Sequence, residues 1–373
     1  MKKLLVVMLI ALALLAMAQS NVTATVGGRL EANYFMDMPA GDEIENSGFA
    51  VITTKLWTDV DFGSDLTGKL MLAVLDASNG INDATAISVE ELWINKNQPF
   101  GVANFGMKFG KMEVASNLDI DNGITRSLTN MVRFPTPGPD GTWGNADDFS
   151  IYTPGEIDQT YGLGASYMVE GIGNFTLTTF EGTGGLDESN ADSTKYEDED
   201  MGLLSSLALQ YDTKDNAFGV TGLRGVAAYV MIAGQEDLDT SSWLSLGATY
   251  EVMPGLVLGL ELIPMVSNWN SPEDAGEMLY ALNADYKIEG GYKVGLTYES
   301  YTINEFMGKD SENLAISRMA LRGSMDLTDQ VCLRGEYSQT TLKDSDIADA
   351  SLDAIAHASS VASSLRVGLL GKF

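Results

Sequence analysis

The feature that most constrains this chain is a regular alternation of tight and long connections between two-faced segments. From residue 22 onward, apolar and polar residues alternate in segments of about nine to sixteen residues, the length that a tilted transmembrane strand requires. Tight connections such as 64–66 and 253–254 alternate with longer ones along the whole chain. An even number of strands, with short turns at one rim and long loops at the other, predicts an all-β fold: a 16-stranded antiparallel transmembrane β-barrel. The sixteen predicted segments are 22–36, 49–63, 67–76, 86–96, 103–112, 158–170, 173–183, 201–213, 219–234, 241–252, 255–266, 277–289, 291–304, 312–327, 330–343 and 360–373.

The connections and the side-chain parity both favour a barrel over a β-sandwich. A sandwich would use Greek-key connections and has no reason to separate its loops into a short and a long class. Leu258 and Leu260 share one face of their segment, whereas Glu261 takes the other. We therefore expect a lipid-facing exterior and a polar lumen. Pro264 fits poorly and predicts a bulge or an early end of its strand. An interfacial aromatic girdle is expected at the periplasmic rim from Phe62, Trp93, Phe100, Phe218, Tyr250, Tyr286, Tyr292 and Phe373.

The N-terminus has the form of an export signal. Lys2 and Lys3 precede an apolar run over 4–15 that is too short to span a bilayer, and 16–18 reads Ala-Met-Ala, a small-x-small cleavage site. We expect a signal peptide at 1–18 and a mature barrel at 19–373. Since no later stretch has the length of a transmembrane helix, export and the strand pattern together predict the outer membrane of a diderm bacterium.

The charge of the chain excludes some partners. Without the predicted signal peptide, 20 basic residues remain against 52 acidic ones, a formal charge of −32. Nucleic acid and anionic lipid surfaces are recognised by basic patches, so neither is an expected partner. A field of this sign favours cations near the protein, although acidic residues that merely solvate surface loops would give the same composition.

Cysteine and histidine usage argues against an enzyme. Cys332 and His357 are the single cysteine and the single histidine, so no intramolecular disulfide and no multi-histidine metal site can form. A serine hydrolase would depend on His357, which lies among small residues without an evident Asp-His-Ser context. We predict no catalytic site and no required cofactor.

Two local sequences resemble bacterial outer-membrane porins. The last segment ends on Phe373, as the closing strand of such barrels does, and the hairpin at 90–111 (EELWINKNQPFGVANFGMKFGK) is similar to one in porins of the phosphate-selective type. The connection at 113–157 is the longest and holds four of the nine prolines. The resemblance to general porins implies that this third loop folds toward the lumen as a constriction, and that the protein forms a homotrimer in outer-membrane lipid.

Parity places five arginines inward: Arg29, Arg318, Arg322, Arg334 and Arg366. Their strands become neighbours when the barrel closes, so they would form a pore-lining basic strip that sets selectivity. Alternatively, each arginine pairs with a luminal carboxylate and only satisfies the wall; the candidate carboxylates are Glu31, Asp59, Glu299 and Glu336.

The third loop supplies the opposing charges. By the resemblance, an acidic third loop faces the arginines and creates a transverse field. The constriction residues expected here are Glu113, Asp119, Asp121, Arg126, Arg133 and Glu156. Within the same loop, clustered oxygen donors around glycine turns suit Ca²⁺, or else form a solvated turn, and their spacing is not that of an EF-hand. These donors are Asp140, Asn145, Asp147 and Asp148.

The leading hypothesis is a porin for passive diffusion of small hydrophilic solutes and ions, with a mild preference for cations. Phosphate selectivity is disfavoured because the chain has a surplus of acidic residues. The alternative is a structural or surface-interaction barrel whose lumen is occluded.

Overall fold

A computed structural model of the chain describes residues 22–38, 46–75, 86–114, 133–136, 149–152, 157–181, 205–214, 217–233, 240–267, 278–303, 314–344 and 363–372. Sixteen strands close into one antiparallel barrel, and two more form a separate small sheet. The barrel strands are β1 (Thr23–Met38), β2 (Asn46–Gly63), β3 (Leu66–Leu75), β4 (Ala86–Asn97), β5 (Phe105–Val114), β8 (Ile157–Val169), β9 (Gly173–Phe180), β10 (Ser206–Asp212), β11 (Leu223–Ile232), β12 (Ser241–Met253), β13 (Leu256–Ser267), β14 (Met278–Ile288), β15 (Tyr292–Ile303), β16 (Leu314–Asp326), β17 (Val331–Asp344) and β18 (Ser363–Lys372). The small sheet pairs β6 (Arg133–Thr136) with β7 (Phe149–Tyr152).

The predicted fold class is confirmed. Each of the sixteen predicted segments corresponds to one barrel strand, and each strand pairs with its neighbours around the closed sheet. The largest shift of a boundary is at β10, which begins at Ser206 rather than at 201. Strand β11 begins at Leu223 rather than at 219, because Ala217–Gly219 forms a turn of 3-10 helix. No helix in the described part of the chain is long and apolar enough to cross a membrane.

The third connection has structure that the sequence did not predict. Strands β6 and β7 form an antiparallel hairpin inside it, in register from Arg133 opposite Tyr152 to Thr136 opposite Phe149. Whether the connection enters the lumen lies outside the described residues, as do the predicted signal peptide at 1–18, His357 and Phe373.

The two faces of the barrel differ as the parity predicted. Leu258 and Leu260 are exposed on the outside, whereas Glu261, next to Leu260, is buried on the inside. On β16, Met319 and Leu321 are exposed on the outside. Because apolar side chains turn outward on strand after strand, the outer surface suits a hydrocarbon environment. Polar and charged side chains therefore collect on the inner wall.

The barrel closes where β18 lies between β17 and β1. Strand β18 pairs with β1 from Arg29 opposite Lys372 to Met38 opposite Ser363, and with β17 on its other edge. Gly368 sits in the middle of this seam, opposite Asn33 on β1 and Arg334 on β17. A methyl group at Gly368 would lie 1.6 Å from the Asn33 side-chain oxygen, so a larger residue at this position requires the Asn33 side chain to move.

Strand β13 continues past Pro264 and does not end early. Pro264 pairs with Met278 on β14, so that edge of the strand is intact. On the other edge, the pairing with β12 runs from Leu246 opposite Leu262 directly to Trp243 opposite Met265, and its register then shifts between Ser242 and Trp243. Proline has no N–H to donate, and the irregular edge next to it is the position where that loss is tolerated.

Several residues predicted for the aromatic girdle are exposed, and one lies on the inner wall. Tyr250, Tyr286 and Tyr292 are exposed on the outer face beside short turns. Phe100 and Phe218 are the most exposed aromatic residues described, at 89% and 75%, and both sit in 3-10 turns with left-handed backbone conformation. Trp93, in contrast, lies on the inner wall, where its indole N–H bonds to a carboxylate. It therefore does not belong to the girdle.

Candidate functional site on the inner wall

Five arginines from four adjacent strands lie on the inner face of the barrel: Arg29 on β1, Arg318 and Arg322 on β16, Arg334 on β17 and Arg366 on β18. We call them the arginine cluster. Their strands meet around the closing seam, and the register sets Arg322 opposite Glu336, which in turn lies opposite Arg366. Alternation along each strand turns these side chains away from the apolar outer surface.

A carboxylate joins the two sides of the seam. Arg334 donates from Nη1 to Glu31 Oε1 at 2.8 Å, and Arg29 donates to the other oxygen of the same carboxylate. Strand β18 lies between the two partners, and it carries Gly368 at this level. The absence of a side chain there leaves a path from Arg334 on β17 to Glu31 on β1. The ion pair thus bridges across the closing strand.

The two arginines of β16 contact polar groups of the neighbouring wall. Arg318 Nε lies 3.1 Å from Glu299 Oε2 on β15. Arg322 donates from Nη2 to Asn283 Oδ1 at 2.9 Å and to the hydroxyl of Thr297. These groups replace the water that a buried guanidinium loses. Pairing with a luminal carboxylate, the alternative weighed from the sequence, describes Arg29, Arg318 and Arg334 in this structure.

Members of the arginine cluster differ in their access to water. Arg318, Arg322 and Arg334 are buried, with 1%, 2% and 5% of their surface exposed. The side chain of Arg29 keeps 15% of its surface exposed, and Arg366 is half-buried. The three buried guanidinium groups contribute to the electrostatics of the wall but offer few donors to a passing solute.

A second group of charges lies on β2 to β5, and we call it the lysine cluster. It comprises Lys55, Lys69, Glu90, Glu91, Trp93 and Lys108. Lys69 Nζ donates to Glu91 Oε1 at 2.8 Å, and Lys55 is paired with Glu90. The side chains of Lys55 and Lys69 each keep 23% of their surface exposed. These lysine side chains are therefore more exposed than the buried arginines of the inner wall.

An aromatic ring organises the lysine cluster. The Trp93 indole Nε1 donates to Glu91 Oε2 at 2.6 Å, and the Lys108 ammonium nitrogen lies 4.2 Å from the centroid of the ring. That position is a cation–π contact. Glu91 accepts a hydrogen bond from Lys69 with one oxygen and from Trp93 with the other. One carboxylate therefore holds both Lys69 and the ring on which Lys108 lies.

Most residues predicted for the third-loop constriction cannot be placed. Asp119, Asp121, Arg126 and Glu156 lie outside the described residues, as do the Ca²⁺ candidates Asp140, Asn145, Asp147 and Asp148. Both sets remain predictions. Arg133 lies in β6, and its side chain is not among those described. Within the described residues, no three His, Cys, Asp or Glu side chains are grouped so as to hold a metal ion.

Glu113 is placed in the barrel wall rather than in the loop. It belongs to β5, and the register with β8 shifts between Met112 and Val114 at this point. Met112 and Val114 are buried on the inner side, whereas Glu113 between them is exposed. A strand that extends two residues beyond its predicted end, together with this bulge, accounts for the difference.

The sequence interpretation missed the lysine cluster as a site, although a signal was present. In the hairpin at 90–111, Glu91, Trp93 and Asn95 share one parity on β4, and Lys108 lies opposite Asn95 on β5. Parity alone would have put these side chains on the inner face. Trp93 was instead assigned to the girdle, because an aromatic residue near a turn usually marks the interface.

The closed barrel and its charged inner wall agree with a match to a known family. The model of the Gram-negative porin family matches residues 5–345 of the chain. The chain belongs to this porin family. No curated protein matches it in sequence. Membership establishes an outer-membrane barrel and points to a channel rather than an enzyme.

Solved porins share the fold of this porin at low sequence identity. An anion-selective porin from Comamonas acidovorans matches with a TM-score of 0.60 and 14% identity, covering 95% of this chain and 100% of that one. The outer-membrane channel DcaP of Acinetobacter baumannii has a TM-score of 0.60 and 13% identity, covering 95% and 98%. OmpT of Vibrio cholerae, in a trimer form, has a TM-score of 0.57 and 12% identity, covering 94% and 99%.

Proposed function

We propose that this porin forms a water-filled channel for passive diffusion of small hydrophilic solutes and ions. The observation that carries the proposal is a closed barrel of sixteen strands whose inner wall bears charged side chains of both signs. A barrel of sixteen strands is too wide for its own side chains to fill, so we expect its lumen to hold water that solvates the charged wall. No cofactor is required for this function.

We propose a mild cation preference for the channel. The predicted mature chain carries a formal charge of −32, and carboxylates such as Glu31 and Glu299 offset part of the arginine cluster. A low-dielectric wall focuses the net field into the lumen, where it raises the local concentration of counter-ions. Cations should therefore enter more readily than anions.

The members of the arginine cluster take two roles in this proposal. Arg29 and Arg366 line the aqueous path, because their side chains are partly exposed on the inner face. Arg318, Arg322 and Arg334 act through the wall, since they are buried and bonded to its polar groups. Asp119, Asp121, Arg126, Arg133 and Glu156 are the residues we expect to narrow the path.

We further propose that the chain is exported through a cleaved signal peptide and assembles as a homotrimer in outer-membrane lipid. The apolar run at 4–15 followed by Ala-Met-Ala supports the first point. The trimer form of OmpT from Vibrio cholerae, a structural neighbour at 12% identity, supports the second. Chemical cross-linking of the folded protein in detergent tests the assembly, because a homotrimer gives no product larger than three chains.

A planar lipid bilayer under a potassium chloride gradient tests the channel. Stepwise conductance with a reversal potential of cation sign is the expected result. The burial of Arg318 at 1% exposure favours the alternative, a barrel with an occluded lumen that binds a partner through its loops. A correctly folded protein that inserts without conducting would exclude the porin function proposed above and favour that alternative.

A further inference from the structure

Uncharged polar side chains cover one part of the inner wall, from β4 to β10 near the short turns. Asn97 is the last residue of β4 and Gly106 is the second residue of β5, so this part lies next to the turn between them. The register sets Gly106 between Asn97 and Ser166, and Ser166 opposite Thr176. We call the group the amide patch; its side chains are Asn95, Asn97, Ser166, Asn174, Thr176 and Gln210. All six are amides or hydroxyls, and none is ionisable.

The amide patch is accessible, in contrast to the buried arginines of the inner wall. Asn97 is exposed, and the other five side chains are half-buried. Arg318 and Arg322, on the other side of the barrel, are 1% and 2% exposed. Polar groups of the amide patch can therefore meet a solute in the lumen.

Two hydrogen bonds hold the amides of the patch in place. Asn95 Nδ2 donates to Asn97 Oδ1 at 3.0 Å on β4, and Asn174 Nδ2 donates to Thr176 Oγ1 at 3.0 Å on β9. Each bond joins residues two apart on one strand, which share the inner face. Strands β5 and β8 lie between the two pairs, which are therefore about 14 Å apart across the wall.

A glycine leaves a gap between the two hydrogen-bonded pairs. A methyl group at Gly106 would lie 2.9 Å from Ser166 Oγ, 3.7 Å from Asn97 Oδ1 and 3.9 Å from Asn95 Oδ1. Within the described residues, Ser166 Oγ and Asn97 Nδ2 have no hydrogen-bond partner. The gap is thus bordered by acceptors and by donors that are available to a solute.

The groups that border the gap are uncharged. The three atoms nearest to a methyl group at Gly106 are a hydroxyl oxygen and two amide oxygens. Lys108, two residues along β5, has its ammonium nitrogen 4.2 Å from the centroid of the Trp93 ring, and Trp93 pairs with Gly110 rather than with Gly106. A charged solute would lose water at the gap without gaining a counter-charge from these three groups.

We propose that the amide patch is a subsite for neutral polyhydroxylated solutes, such as small sugars and sugar alcohols. A solute hydroxyl both donates and accepts, and so do the amides and hydroxyls of the patch. The solute exchanges hydrogen bonds to water for hydrogen bonds of the same kind, so the net gain from each is modest. Weak binding lets the solute leave again, which passage through a channel requires. This inference rests on the proposed channel function and names a solute class for it.

Saturation-transfer NMR on the detergent-folded protein tests the subsite with sucrose as the probe. Tetraethylene glycol is the comparison solute, because it is neutral and polar but has ether oxygens in place of most hydroxyls. The expected result is saturable transfer to sucrose, and no saturable transfer to tetraethylene glycol. Equal transfer to the two solutes would overturn the proposal.

Two variants of the patch and one control locate the binding. Gly106→Ala fills the gap without removing a polar group and should abolish saturable transfer to sucrose. Ser166→Ala should weaken sucrose binding about two- to tenfold, because one neutral hydrogen bond is lost. The control is Ser324→Ala, since Ser324 is also half-buried and lies beside Arg334 on the inner face of β16. It should leave binding unchanged.

The serine pair keeps the test valid if Gly106→Ala fails to fold. Equal weakening by Ser166→Ala and Ser324→Ala would contradict the subsite. Unchanged binding in a folded Gly106→Ala variant would contradict it as well.

Bilayer conductance distinguishes failure of the subsite from failure of the channel. Sucrose should reduce the potassium chloride conductance saturably, by more than tetraethylene glycol does at equal viscosity, and Gly106→Ala should remove the difference. A conducting protein whose current falls equally with both solutes would support the channel and overturn the subsite. Saturable binding of sucrose by a protein that does not conduct would support the subsite and overturn the proposed channel.

Discussion

The arginine cluster and the lysine cluster lie on the same inner wall but have different surroundings. Arg318 and Arg334 are 1% and 5% exposed, whereas the side chains of Lys55 and Lys69 each retain 23% of their surface. Around the arginines, Glu31 and polar wall groups accept hydrogen bonds from the guanidinium groups. Around the lysines, an indole ring and small residues leave part of the charge uncovered. The comparison separates charges that stabilise the wall from charges that can meet a solute.

The residue types fit these two roles. A guanidinium is planar, carries five donors and is weakly hydrated, so it tolerates burial when several acceptors surround it. An ammonium is compact and strongly hydrated, and it keeps its charge near water. Arg334 spans the closing strand to reach Glu31, while Lys108 stays beside Gly164 and Asn95. We infer that the buried arginines, Arg318, Arg322 and Arg334, hold the wall, and that the lysines form the accessible face together with Arg29 and Arg366.

The largest expected effect is loss of stability when the shared carboxylate of the seam is removed. Glu31→Gln takes the counter-charge from Arg29 and Arg334, and breaking a buried pair costs about 3–5 kcal/mol. Glu91→Gln on the other side should cost less, because Lys69 can turn toward water. Urea unfolding in lipid vesicles measures both free energies. If the two variants lose the same free energy of unfolding, the distinction between the two clusters is wrong.

The next effect concerns the geometry of the seam. Gly368→Ala would place a methyl group 1.6 Å from Asn33 Oδ1, and overpacking of this kind costs about 1–3 kcal/mol. The matched control is Gly335→Ala on the adjacent strand, where the nearest atom would be 4.0 Å away. The free energy of unfolding should fall for the first variant and change little for the second. If both variants unfold alike, the seam has no special packing requirement.

The smallest effect is on ion selectivity within the arginine cluster. Arg366→Gln should move the reversal potential further toward cations than Arg322→Gln, because Arg366 is half-buried and Arg322 is 2% exposed. A unit charge acts on an ion about 4 Å away with about 1 kcal/mol in water, which corresponds to a change of about fivefold in the local concentration of that ion. Reversal potentials in a salt gradient decide the order of the two variants. A larger shift for Arg322→Gln would place the buried arginines at the aqueous path.

The number of strands, their order and the side of the sheet on which each side chain lies were predictable from the sequence, because they depend on alternation and on connection length. Every barrel strand agrees with a predicted segment, and Glu261 and Leu260 face as parity requires. The path of β13 through Pro264 was not predictable. Whether a proline ends a strand depends on the pairing of its neighbours, and here β14 pairs normally while the edge to β12 is irregular.

The positions of the five arginines followed from parity, but their exposure did not. Burial of Arg318 to 1% involves side chains of the neighbouring strand, such as Glu299 on β15, which alternation along one strand does not encode. Trp93 shares the parity of Glu91 and lies on the inner wall, although an aromatic residue near a turn usually marks the interface. The contact between Lys108 and Trp93 joins two strands of one hairpin, so the hairpin register was needed to find it.

The difference in water access between the two clusters is tested most directly by thiol modification at two serines of the inner wall. Ser166 beside the lysine cluster is half-buried, and Ser338 beside the arginine cluster is 2% exposed. Each is replaced by cysteine in a Cys332→Ser background, and a charged methanethiosulfonate reagent is added while the bilayer current is recorded. We predict rapid modification with a change in current for Ser166→Cys, and much slower modification for Ser338→Cys. Equal rates, or faster reaction at Ser338→Cys, would contradict the assignment of the lysine cluster to the aqueous path.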